Sequence, residues 1–222
     1  MPPRPLLAFR SMTMKNPTST NARGTIAAAT ALALAAAATL AQPVPGVTFL
    51  ENPPGVDTRI LAVANEGRFV AGEGQVRPDN RRTGAFIISR EGGRVDFPPG
   101  TVAFNSSAGD ISADGSYAAG ATTAELEAIT TTAALFGRDG SFLSLGYLPG
   151  DDSSSAQGIS GDGRVVVGHS SDGRFENENR RAFRWTPETG MTDLGHLRAD
   201  GVYTTPYDVS TDGRFMVGES IS

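Results

Sequence analysis

Two histidines, His169 and His196, are the only imidazoles in the chain, and it contains no cysteine. Acid–base, nucleophilic and metal-binding chemistry would therefore rest on those two rings, on hydroxyls and on carboxylates. Serine is plentiful, but no G-x-S-x-G elbow surrounds any copy, so a serine triad has no support. Asp79 and Glu176 sit in polar, arginine-bearing stretches and could act as acid and base on a glycosidic bond if the fold brought them to one place. With the neighbouring arginines and two tyrosines, the candidate ligand-binding set is Arg77, Asp79, Arg82, Tyr147, His169, Glu176, Arg180, His196 and Tyr203. Calcium could find oxygen ligands in Asp151-Asp152 and in several S-x-D-G turns, yet neither the EF-hand spacing nor the G-G-x-G-x-D repeat occurs. Asp-Gly then reads as turn chemistry, and no metal and no cofactor is assigned.

The scaffold that must carry these residues is written four times. The phrases VANEGRFVAGE, ISADGSYAAGA, ISGDGRVVVGH and VSTDGRFMVGE place a turn glycine at Gly67, Gly115, Gly163 and Gly213, with a second glycine five positions later. Glu66, Asp114, Asp162 and Asp212 precede the turn glycine, and Val63, Ile111, Ile159 and Val209 stand four positions before it. A period near 50 residues marks propellers and other repeat arrays. Each unit also carries an Ala-Phe type run (GAFIIS, TAALFG, RAFRWT) and a fourth apolar stretch (RVDF, FLSLG, MTDLG). These runs are short, β-branched or aromatic, and bounded by Gly, Asp, Asn and Pro, which predicts strands; only AELEAI at 124–129 could form a helical turn.

Asp-Gly between two such runs predicts a hairpin at Asp114-Gly115, Asp162-Gly163 and Asp212-Gly213, because glycine accepts the positive φ of a tight reversal. The second glycine predicts a bulge or a close backbone approach. The fold class that follows is all-β, a β-propeller-like array of four-stranded antiparallel blades in about 3.5 to 4 repeats, near 57–104, 105–152, 153–202 and, in part, 203–222. A β-solenoid competes, but its coils are shorter than these units. Trp185 replaces Ile88 and Phe136 of sister units and reads as core. The segment VTFLENPPG at 47–55 looks like a lone fourth strand, which allows either closure of a last blade from both ends or an array of more units.

AFRWTPETGMTDLGHL followed by DVSTDGRFMVGES resembles the HAF family of bacterial extracellular repeat proteins. The match is close over 156–220 and looser in the units near 57 and 105, where Trp and the DLG triplet are replaced. The resemblance implies an exported, propeller-like protein and brings no catalytic residues.

The first 41 residues read as a signal peptide: Arg4, Arg10, Lys15 and Arg23 without an acid, then an Ala-rich apolar run ending in small residues before Gln42, with Met12 or Met14 as a possible true start. A membrane anchor is the competing reading of that run. Residues 42–222 then form the repeat domain, with 15 bases, 24 acids and a net charge of −9. An acidic surface without basic clusters argues against nucleic acid, and nothing after the leader is apolar enough to stay in a bilayer. Two functions are carried forward. The first is an exported, non-enzymatic scaffold, secreted, periplasmic or on the cell surface, that binds a protein or glycan through inter-strand loops. The second is a propeller hydrolase or lyase acting on extracellular carbohydrate.

Overall fold

The computed structural model describes residues 57–75, 82–91, 93–97, 105–123, 130–172, 179–196, 201 and 203–221. The expected leader over 1–41, the strand expected at 47–55, the turn at 124–129, and Arg77, Asp79 and Glu176 lie outside these residues. Residues 54–222 form one compact unit.

That unit is all-β. Strands β1 (Thr58–Ala64), β2 (Phe69–Gln75), β3 (Thr83–Ser89) and β4 (Arg94–Phe97) make the first sheet, in chain order and antiparallel throughout. The second comprises β5 (Asn105–Ile111), β6 (Tyr117–Thr123), β7 (Thr132–Gly137) and β8 (Phe142–Gly146). The third comprises β9 (Ser153–Ile159), β10 (Val166–Ser171), β11 (Arg181–Thr186) and β12 (Gly190–Gly195). Strands β13 (Tyr203–Val209) and β14 (Met216–Ile221) pair as a fourth, two-stranded sheet. Each meander is a blade of the up-and-down kind that the sequence predicts.

The repeated phrase builds the β5–β6, β9–β10 and β13–β14 hairpins by one set of bonds. In the third blade the Ser160 hydroxyl donates to Asp162 at 2.6 Å and accepts the Val165 N–H at 2.9 Å, while Asp162 also accepts the Arg164 N–H. Ser112 with Asp114 and Ser210 with Asp212 repeat the pattern. Gly115, Gly163 and Gly213 take φ of 68°, 73° and 70°, the left-handed region where glycine carries no Cβ penalty. The first blade departs from this, because Ala64-Asn65-Glu66 lacks the Ser and Asp. There a short 3-10 turn over Asn65–Gly67 closes the hairpin, with Asn65 and Glu66 both at positive φ. Ser160→Ala deletes the acceptor of a buried N–H, and we expect it to cost about 1–3 kcal/mol, read by urea denaturation with Asp162 intact.

The second glycine answers to a different force. In β2, β6, β10 and β14 it lies opposite a register shift in the first strand, at Ile60/Ala62, Ala108/Asp110, the Ala156/Gly158 side of β9, and Pro206/Asp208. A Cβ built on Gly72, Gly120, Gly168 or Gly218 would fall 1.9–2.3 Å from a carbonyl oxygen of that strand. Bulge and close approach therefore occur together at this position.

The core is not central to any blade but lies between successive blades. One cluster joins the first two through Phe69, Ile87, Phe97, Ile111 and Phe136; a second joins the next two through Leu135, Leu148, Ile159, Val166 and Phe183. A third, Val165, Val167 and Val209, holds the two-stranded blade. Trp185 is 9% exposed and packs in the second cluster, as core.

Candidate functional site

Antiparallel order places the Ser-x-Asp-Gly turns, and the 3-10 turn of the first blade, at one end of the blades and the long connections β2–β3, β6–β7 and β10–β11 at the other. At the turn end the blades are tied directly: Ala113 N–H donates to the Gly161 carbonyl at 3.0 Å, and Gly161 N–H to that of Thr211 at 2.9 Å. That end is consumed by the scaffold. The candidate site must be sought among the long connections.

At that end the seams are sewn by buried hydroxyls. Ser106 accepts the Ala85 N–H at 2.8 Å and donates to the Phe97 carbonyl, and Ser154 does the same for Ala133 and Gly146. Thr204 holds the corresponding position in the fourth blade, and its hydroxyl meets His196 Nδ1 at 2.9 Å and Ser220 at 3.1 Å. His196 is thus bound into a seam as well as facing an open depression of about 560 Å³, which Asp151, Asp172, Asn179 and Arg181 also line. The floor of that depression is an ion cluster. Arg181 contacts Asp151 at 2.9 Å and Asp193 at 2.7 Å and donates to the Pro149 carbonyl; burial works against its charge, but the two carboxylates outweigh that.

Beside it stands a second group spanning the third and fourth blades. The Tyr203 hydroxyl donates to Glu219 at 3.1 Å, and Glu219 also acts on Tyr207. Both phenols are held above their ordinary range, Tyr203 by desolvation and then Glu219, Tyr207 by Glu219 first. Arg180 acts electrostatically on both tyrosines and on His169.

His169 departs from the sequence expectation. Binding through inter-strand loops would put it on a connection, but it lies within β10, half-buried, opposite Ala182 and Ser155. Burial, with Arg180 adding to it, lowers its pKa to about 4, and its Nδ1 is enclosed without a hydrogen-bond partner. At neutral pH it is an uncharged imidazole and a weak base.

Of the sequence-derived set, then, the structure gathers His169, Arg180 and Tyr203 into one neighbourhood. His196 lies at the depression, and Tyr147 follows β8, two residues before Pro149 of that depression's lining, with its hydroxyl 3.4 Å from Thr132. Arg82 lies before β3, in the first blade. Glu219, Tyr207, Arg181 and Asp193 were missed as site residues, and Asp151, weighed in the sequence as a calcium ligand, is paired with Arg181. The one available signal was the column of Glu73, Ala121, His169 and Glu219, polar in three of its four members. Among the described residues no group of three or more His, Cys, Asp or Glu side chains could hold a metal ion, and no helix is long and apolar enough to cross a membrane.

Fold and site together define a protein of the β-propeller type, with a repeated bonding pattern at one end and varied polar side chains at the other. No family model matches the chain, and no curated protein does. Among solved structures it is similar to a protein assigned as TolB from Agrobacterium tumefaciens, at 18% identity and a TM-score of 0.47, over 73% of this chain and 54% of that one. It is likewise similar to TolB from Acinetobacter baumannii, at 15% identity and a TM-score of 0.46, over 72% of this chain and 37% of that one. The chain thus spans about half, and in the second case just over a third, of the structures it matches.

Proposed function

We propose that the chain is an exported, non-enzymatic repeat protein of the HAF type that binds a protein or glycan through the connections opposite its Ser-x-Asp-Gly turns. The observation that supports this is the division of labour between the two ends. The recurring Ser, Asp and Gly residues are used up in hairpins and seams, whereas Arg180, Tyr203, Tyr207 and Glu219 vary between units and sit together at the end where loops emerge. Aromatic groups held on a strand, with a guanidinium beside them at the start of β11, suit sugar hydroxyls or a polar peptide.

The carbohydrate hydrolase or lyase is the weaker reading. The carboxylates it rests on, Asp79 and Glu176, lie outside the described residues, and His169 is pushed well below the pKa near 7 that suits a base at neutrality. The test is a screen of the purified chain against envelope glycans and envelope proteins, paired with a polysaccharide-cleavage panel. We expect saturable binding without cleavage, and Tyr203→Phe with Arg180→Ala should weaken it by about tenfold or more. Cleavage that survives purification and vanishes in Glu219→Gln would replace this reading with the enzymatic one.

A further inference from the structure

The depression at the loop end of the third blade is lined from three connections and one strand. Asp151 comes from the connection after β8, Asp172 and Asn179 from that between β10 and β11, and His196 from that after β12, while Arg181 begins β11. Backbone and side-chain bonds pin these walls to the sheets. Asp152 N–H donates to the Ser171 carbonyl at 3.1 Å, and Arg181 to that of Pro149 at 2.9 Å. Thr204, whose hydroxyl meets the His196 ring at 2.9 Å, donates its own N–H to the Arg180 carbonyl at 2.8 Å. Walls fixed in advance lose little freedom when a ligand binds.

The fold does not require these groups. Each third strand carries a buried alanine, Ala85, Ala133 or Ala182, and the residue before it is Gly84, Thr132 or Arg181, so the sheet forms equally well without a charge there. Tyr147 likewise holds the position of His196, one residue after the glycine that ends the fourth strand. The chemistry of the lining then selects a ligand. Among the described residues no large apolar side chain lines the depression, so an apolar molecule or side chain finds no anchor. The Arg181 guanidinium is already neutralised by Asp151 and Asp193, and Asp172 adds a further carboxylate, which disfavours an anion. What the walls present is a set of adjacent polar groups: carboxylates that accept, a guanidinium that donates, and a carboxamide that does both. The neighbouring hydroxyls of a sugar ring, each a donor and an acceptor, match such pairs. A volume of about 560 Å³ lies within the range of about 300–1,000 Å³ usual for small-ligand sites.

We propose that this depression binds a neutral sugar residue, whose O–H groups donate to the Asp151 and Asp172 carboxylates and whose oxygens accept from Asn179 and Arg181. Arg181 keeps 28% of its side chain exposed and so stays within reach of a ligand while its two ion pairs hold it in place. The proposal rests on the binding reading above and gives it a ligand class and a seat.

The experiment is saturation-transfer NMR and calorimetry of the purified chain with neutral mono- and trisaccharides of glucose, galactose and mannose, run in EDTA beside the envelope screen. Glucuronic acid and glucosamine serve as the charged counterparts. We expect saturable binding of a neutral sugar, weakened by about tenfold in Asp172→Asn and in Asn179→Gly. Asn179 has a φ of 62°, so glycine removes its carboxamide without straining the backbone, and circular dichroism matching wild type establishes that both variants are folded. Sugar binding that ignores both variants places the site elsewhere and overturns the proposal. Binding of glucosamine alone, which would make the depression a cation site, also overturns it, as does binding that EDTA abolishes, which would put a metal ion between chain and sugar. If no neutral sugar binds while an envelope protein does, the proposal falls and the binding reading stands; if nothing binds, both fall.

Discussion

Gly120→Ala is expected to destabilise the repeat unit by about 3 kcal/mol or more, a large share of the stability of a domain this size. The reason is geometric. The new Cβ would lie 1.9 Å from the Ser107 carbonyl oxygen and 2.9 Å from its carbon, and both belong to backbone already fixed by a bulge at Gly109. No rotamer relieves a clash with backbone, so β5 must withdraw, and in withdrawing it opens the seam made by Ile111. Gly109→Ala is the matched control: its Cβ would come no closer than 3.9 Å to any neighbour, and an effect within about 0.5 kcal/mol is expected. Urea denaturation of both variants reads the difference. Equal effects would mean that glycine is retained at 120 for something other than the close approach.

The second large effect is a pH dependence centred on His169. Its folded pKa of about 4 lies below the value near 6.5 that the unfolded chain would show. Between those two values the unfolded state binds a proton that the folded state does not, so stability rises with pH across that window and is level above it. The full shift corresponds to about 3 kcal/mol, lost progressively as pH falls from 6.5 towards 4. Its cause is the burial of a ring whose Nδ1 finds no partner, reinforced by Arg180. His169→Asn should flatten the stability profile over that range, measured by denaturation at a series of pH values. An imidazole titration of His169 near 6.5 by NMR would contradict this account.

The turns were the most legible part of the sequence, because everything they need is local. Ser160, Asp162 and Gly163 satisfy one another within six residues, so four near-copies of one phrase announce their hairpins. The first blade shows the limit of that reading: with Ala64 in place of the serine, the chain reverses through a 3-10 turn instead. The seams were illegible for the opposite reason. Ser106 and Ser154 look like ordinary strand serines, and nothing near them announces that each binds a backbone N–H 21 residues away. The place of His169 was illegible because a glycine before a polar run does not say where a strand stops, and the bulge at Gly168 lets β10 run on to Ser171. Tyr203 and Glu219 come together by the register of β13 on β14, which polarity alone does not encode.

Because apolar packing lies between neighbours and never around one centre, the molecule behaves less like a droplet than like a short zip. Its cooperativity is set by the weakest link, which is the three-valine contact holding the last hairpin, and that hairpin can part from its neighbours while the first three sheets stay joined. A length of chain of this design can therefore gain or shed whole modules in evolution without rewriting an interior, since each addition needs only one matching face.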